Sequence, residues 1–487
     1  MTTRPGSVRA ARCALAAVLL GSCTVGPDWT PDPPAVPAAF DVQPPATDTA
    51  AAIVTAADAD VAAWWTVFHD PELDALIARA TTGNLDLRAA AARVQQARAG
   101  RAIVAGGLWP TLNATAGAVR VQSNSPGGLD TVAAAAHTQL QVGLDASWEA
   151  DLFGGIRRDV EAADADLQAA VEDRRDVMVA LAGEVGFDYF ALRGLQQRLH
   201  VADDNLTAQA HSLDITQRRF ADGLASRLDV AQAEALVATT RAAIPALRAA
   251  AQQARLELGV LLGQDPASLD AELAAAVPLP QTPATVPIGL PADLLRRRPD
   301  VRRSEAQLHA ATARIGKATA DLWPHLSLAA ALGFVHDALP DWLAPGNRAW
   351  SAGASLLAPL FAGGSLQAGV ARADAAADEA LQHYHAAVLV ALRDVDGSVE
   401  AFLREQERLR ALQQAVAADR EAVDLASRSY TAGQTDFLVV LDAQRSLLLA
   451  EDQQVQSATA VATDLVALFK ALGGGWSEHD AVPAAAP

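Results

Sequence analysis

Lysine is almost missing from this chain: Lys317 and Lys470 are the only two in 487 residues, and the formal net charge is −19. A polyanion has little to offer a phosphate backbone, so no nucleic acid is expected as a partner. Aromatic residues make up only 5 %, and the abundant alanine suits long helices. No uninterrupted apolar run approaches the ~18 residues that a membrane helix needs, so any element that spans a bilayer must be β. Motifs of chemistry are missing too: there is no phosphate loop, dinucleotide fingerprint or zinc-helix pattern. His383 and His385 stand two apart, do not share a helix face, and read as solvated side chains rather than metal ligands. No Ser-His-Asp combination sits on a recognisable elbow, so no enzyme, metal or cofactor is expected.

Cysteine occurs twice, as Cys13 and Cys23. Arg4, Arg9 and Arg12 precede the apolar run Ala14 to Leu20, and Leu20-Gly21-Ser22 leads into Cys23. A charged region, a short apolar stretch and small residues before a Cys read as a cleaved secretory signal over residues 1–22. The pattern resembles a bacterial lipobox, which would make Cys23 a lipidated first residue. Removal of the leader also removes Cys13, leaving one thiol and neither an intramolecular disulfide nor a cysteine metal site. A lipid anchor alone tethers weakly.

What is present is a tandem duplication. Arg218 to Ala235 and Arg428 to Arg445 share one frame 210 residues apart: Phe220 and Tyr430, Gly223 and Gly433, Leu228 and Leu438, Val230 and Val440, Ala233 and Ala443. A Gly between two apolar-periodic segments is what a tight helix-to-helix turn requires, since Gly takes positive φ without steric cost. Gly223 and Gly433 are therefore read as tips of helical hairpins. Before each tip, every seventh residue is apolar, from Val171 to Phe220 and from Leu381 to Tyr430. That spacing predicts helices packed along a continuous seam, each about 65 residues and roughly 100 Å long. Return helices are expected over about Ser226–Leu262, with Pro245 inside, and Thr435–Leu472.

Each half also carries period-2 alternation. Leu140, Val142, Leu144, Ala146 and Trp148 oppose Gln139, Gln141, Gly143, Asp145 and Ser147; Leu326, Leu328, Ala330, Leu332 and Phe334 oppose Ser327, Ala329, Ala331 and Gly333. Trp109-Pro110 and Trp323-Pro324 start these regions, because Pro forces its predecessor out of the helical basin. One β-hairpin per half is predicted, about 109–150 and 324–359, with loops near Ser123–Ala135 and His336–Arg348. Strands of about ten residues with an apolar face, and Trp109, Trp148, Trp323 and Trp350 near their ends, fit a membrane barrel with an interfacial girdle. They fit a soluble sheet equally well. Four strands cannot close a membrane barrel, so a spanning reading demands an oligomer.

The resulting divisions are a signal (1–22), an extended, poorly ordered arm (23–57), a first repeat (58–263), a Pro-rich linker (264–291), a second repeat (292–472) and a flexible tail (473–487). The chain resembles the outer-membrane factors, the TolC-like and NodT-like efflux lipoproteins of Gram-negative bacteria. The resemblance rests on Cys23-Thr24-Val25-Gly26-Pro27-Asp28, on Asn84-Leu85-Asp86-Leu87-Arg88-Ala89-Ala90, and on Arg298 through Ala306. The Trp-Pro strand starts, the Phe-Gly-Gly and Phe-Ala-Gly-Gly strand ends and both tips also carry it. It implies a mainly α fold with a membrane β-barrel: a homotrimer whose four strands per protomer make a 12-stranded barrel, with a periplasmic α-barrel closed by the tips. It further implies an outer-membrane location, a periplasmic adaptor and an inner-membrane pump as partners, and passive export of small molecules or drugs. A gate is implied at Asp442, with Val439 and Leu438 as an apolar constriction. The family's second carboxylate stands here as Val439, so the acid ring is reduced to Asp442. A latch between Tyr430 and Asp229 is implied as well, although the basic residue that braces it is replaced by Thr435. Two other readings stand beside this one: a duct for secreted polypeptide, and a periplasmic adaptor built from long helical hairpins. An adaptor would lack the paired amphipathic strands.

Overall fold

The computed structural model describes residues 24–40, 53–55, 57, 61–122, 136–280, 282–283, 285–337 and 342–477. The expected signal, Cys23 and most of the first strand loop lie outside them. The described chain divides into two compact units, one holding residues 24–32, 95–170 and 304–384, the other holding 33–94, 171–303 and 385–477.

The first unit is organised on a four-stranded antiparallel sheet in the order β2-β3-β5-β6, made of β2 (Thr111–Val121), β3 (His137–Ala150), β5 (His325–His336) and β6 (Arg348–Leu357). Both hairpins expected from the alternation are present, and β3 pairs with β5 to join them. The register places Leu112 opposite Ala146, Leu144 opposite Leu332, and Leu332 opposite Trp350, so most large apolar residues of the four strands share one face, while Val119, Val121, Val335 and Leu357 alternate onto the other.

The arm enters this unit as structure, where the sequence suggested a poorly ordered segment. The Val25 amide donates to the Phe153 carbonyl at 3.2 Å. The buried Arg158 guanidinium donates to the Val25 carbonyl at 3.2 Å and to the Asp28 carboxylate at 2.6 Å. Gly26 lies against Gly316, where a Cβ would stand 2.4 Å from the opposing Cα. Two glycines and one buried cation thus hold a segment whose composition, taken alone, argues for disorder.

The second unit is helical. It contains α1 (Pro71–Gly83) and α4 (Arg227–Leu261), which is continuous through Pro245, as well as α5 (Pro291–Arg297) and α8 (Phe437–Ala471). Four further helices contribute residues to both units: α2 (Leu85–Gly106), α3 (Gly155–Ala221), α6 (Pro299–Ala320) and α7 (Ser365–Thr431). α3 and α7 each run 67 residues, matching the expected lengths. The seven-residue series is buried at Met178, Val185 and Leu192 on α3 and at Val388, Val395 and Phe402 on α7. Among the described residues, no helix is long and apolar enough to cross a membrane.

Two features depart from the sequence reading. The linker holds β4 (Thr285–Pro287), paired in parallel with β1 (Ile53–Thr55) from the end of the arm. The tail begins later than residue 473: Gly473 to Trp476 are buried, and the Trp476 indole donates to the Arg297 carbonyl at 3.1 Å with the Arg175 guanidinium 4.3 Å from its ring centroid.

Candidate functional site

The sheet's two faces differ in chemistry. Leu112, Leu144, Trp148, Leu328, Leu332, Trp350 and Leu356 crowd the apolar face, and all are exposed large hydrophobics. An exposed apolar surface of that extent on a strand sheet marks contact with another apolar phase. Three of the four expected border tryptophans sit at one end of the strands: Trp109 before β2, Trp148 near the end of β3 and Trp323 before β5. The Trp148 indole donates to the Leu108 carbonyl at 3.1 Å, and Trp323 stacks on Phe153 with centroids 5.1 Å apart. Trp350, near the start of β6, is 75 % exposed and stands away from that border. The opposite face carries Thr111, Asn113, Thr115, Gln139, Gln141, Asp145, Ser147, Ser327, Ser351 and Ser355, interleaved with glycine. Polar side chains on one face and tryptophan-bordered apolar ones on the other are what a wall between lipid and water requires.

The hairpin tips form the second part of the site. At the first, Gly223 takes φ +76° and the Leu224 amide donates back to the Arg219 carbonyl at 2.7 Å. At the second, Gly433 takes φ +74° and the Gln434 amide donates to the Ser429 carbonyl at 2.9 Å. Each bond lies 210 residues from its counterpart, so the duplication preserves the turn down to its hydrogen bonds. The helices that follow start differently. Ser226 caps α4 in a reciprocal box with Asp229, whose carboxylate accepts from the Ser226 amide at 2.8 Å. Asp436 precedes α8 without a side-chain cap bond.

Leu438, Val439 and Asp442 lie together on one exposed face of α8, because positions three and four apart are helix neighbours; both apolar members are 49 % exposed. Behind them Phe437, Val440 and Leu441 are buried with Tyr430, Ala233 and Leu236, a cluster that joins both hairpins. Tyr430 thus faces the core, and its hydroxyl has no hydrogen-bond partner among the described residues. The implied Tyr430–Asp229 contact is not made within the chain.

Arg219 was missed. Its Nη1 donates to the carbonyls of Tyr430 at 2.8 Å and Thr431 at 3.1 Å, and its guanidinium lies 4.6 Å from the Tyr430 ring centroid. Those carbonyls belong to the last turn of α7, where the helix dipole favours a cation; the Tyr430 carbonyl also accepts from the Gly433 amide at 3.0 Å, so Arg219 adds a second donor there. The available signal was an asymmetry, since Arg219 in the first tip faces Ser429 in the second.

An open strand sheet with a lipid-type face, combined with duplicated long hairpins, defines an outer-membrane channel subunit. Comparison with known proteins places it more narrowly. The family described as outer membrane efflux protein matches residues 76–264 and 290–474, and the chain belongs to that family. It is 37 % identical over 423 residues to the pyoverdine export outer membrane protein OpmQ of Pseudomonas aeruginosa, covering 86 % of this chain and 88 % of the relative. The toluene efflux pump outer membrane protein TtgC of Pseudomonas putida is 33 % identical, with 96 % and 95 % covered. Among solved structures, the outer-membrane channel OprN aligns with a TM-score of 0.86 at 39 % identity, over 93 % of this chain and all of that one. Members of the family act as trimeric outer-membrane channels in tripartite efflux systems. The chain is an efflux component of the Gram-negative outer membrane.

Proposed function

We propose that the chain is the passive exit duct of a tripartite pump for small molecules, working as a homotrimer whose sheets join edge to edge into one twelve-stranded barrel. The observation that supports it is the pair of outer strands, β2 and β6, which run 11 and 10 residues and lie at the two ends of the sheet. Long edges present rows of amides and carbonyls that seek partners, and in a bilayer only closure satisfies them. Small molecules are preferred over polypeptide as cargo because relatives are named for pyoverdine export and toluene efflux. A periplasmic adaptor and an energised inner-membrane transporter complete the system. The gate is assigned to Leu438, Val439 and Asp442, with Asp229 and Tyr430 shaping the two tips that carry it. Lipidation at Cys23 tethers the first residue.

Native mass spectrometry of the detergent-purified chain tests this directly. The expected mass is that of three chains, with loss of solubility when detergent is withdrawn. A monomer that stays soluble without detergent overturns the reading.

A further inference from the structure

The polar face of the strand sheet is not evenly lined. Gly143 of β3 stands opposite Gly333 of β5. A Cβ on Gly143 would lie 2.8 Å from the Leu332 carbonyl oxygen, and one on Gly333 would lie 2.3 Å from that of Val142. Two adjacent positions that admit no side chain leave a recess of about 320 Å3, rimmed by Thr115, Gln141, Asp145 and Ser351. The Thr115 hydroxyl donates to Asp145 Oδ2 at 2.8 Å, which fixes the carboxylate at the edge of the recess.

The charge around this recess has one sign. The only two arginines of the four strands, Arg120 and Arg348, pair with Thr138 and Phe334 and alternate onto the apolar face. Glu149, further along the polar face, already shares a hydrogen bond with the His325 ring at 2.8 Å. Asp145 has no cationic partner among the described residues, and the other polar side chains of the recess are an amide and two hydroxyls, beside the apolar Ala331, Val335 and Ala349. A carboxylate flanked by neutral acceptors is the arrangement that receives an N–H-bearing cation, with one charge-assisted bond and auxiliary bonds to carbonyl and hydroxyl oxygens.

We propose that this recess is a binding site for alkylammonium groups, with Asp145 as the charge partner, Gln141, Thr115 and Ser351 as auxiliary acceptors, and the Gly143–Gly333 pair as the floor on which the alkyl chain lies. The proposal rests on the duct reading. In a threefold barrel, three such sites ring the lumen, so the strand-lined part of the duct selects cations independently of the hairpin tips and gives amine-bearing cargo a resting place.

The test uses the full-length protein in planar bilayers and in detergent. The reversal potential in a potassium chloride gradient is compared between Asp442→Asn, which removes the tip charge, and the double variant Asp442→Asn/Asp145→Asn. Spermidine is titrated calorimetrically into the wild type, Asp145→Asn and Asp145→Glu. Adding Asp145→Asn is expected to lower the potassium-to-chloride permeability ratio severalfold and to weaken spermidine binding about tenfold, the loss of one charge-assisted contact, while Asp145→Glu retains most of both. An unchanged ratio together with unchanged spermidine binding overturns the site. If the wild type conducts under no condition, the duct reading fails instead, and the spermidine titration alone then decides the site: binding that is insensitive to Asp145→Asn overturns it.

Discussion

Arg219 is the residue on which the second hairpin tip depends most directly. Its guanidinium satisfies two terminal carbonyls of α7 and covers the Tyr430 ring, so one side chain of the first hairpin holds the end of the second. Charge-assisted hydrogen bonds of this kind contribute about 2 kcal/mol. Arg219→Ala is therefore expected to lower the melting temperature by a few degrees and, if the tips carry the gate, to raise the open fraction in single-channel recordings. Arg219→Lys keeps the charge but loses the planar fork, and should fall between the two. A variant with wild-type melting and gating would show that the brace is idle. This contact was only half legible in the sequence: Arg218-Arg219 stands in the last turn of a heptad helix and faces Ser429 one repeat later, which marks the asymmetry. Nothing local announces carbonyls more than two hundred residues away.

At the scale of elements, the long helices were legible because a seven-residue apolar period sustained from Val171 to Phe220 and from Leu381 to Tyr430 leaves little alternative. The β1–β4 pair was not, because three-residue strands from distant segments carry no period at all. Helix pairing also places acids where the apolar series cannot predict them. On α3, burial, with Glu257 of α4 and Glu184 adding repulsion, pushes Asp188 up to about 6; on α8, burial and Glu405 of α7 do the same to Asp464. A carboxyl whose folded pKa exceeds its unfolded value binds more protons in the folded state, so stability falls as pH rises through the window between about 4 and 6. These two groups accordingly make the helical part melt at a higher temperature at pH 5.5 than at pH 7.5. Asp464→Asn should stabilise at pH 7.5 by about 1 kcal/mol, because solvent screens part of the cost of a half-buried carboxylate. It should also flatten that part of the pH profile, as read by circular dichroism melts at both pH values. A melt of Asp464→Asn that keeps the full wild-type pH dependence would remove Asp464 from the account.

For the whole molecule, symmetry converts single side chains into rings. The alternation showed the four strands, and their number demanded an oligomer once they were read as spanning; the ends of the sheet order β2-β3-β5-β6 give that demand a physical location. The gate was legible only as a resemblance, because three exposed residues on one helix turn look like any solvated face until copies are brought together. In the gate we propose, Leu438 and Val439 beside Asp442 would divide the work, since apolar side chains set width and a carboxylate sets ion preference. In a threefold pore, Asp442→Asn removes three charges at once, so the reversal potential in a salt gradient should shift towards zero while conductance changes little. Leu438→Ala removes three isobutyl groups and should do the opposite, raising conductance with the reversal potential held. If Asp442→Asn leaves the reversal potential where it was and Leu438→Ala leaves the conductance where it was, the narrowest point of the duct lies elsewhere than on this face of α8.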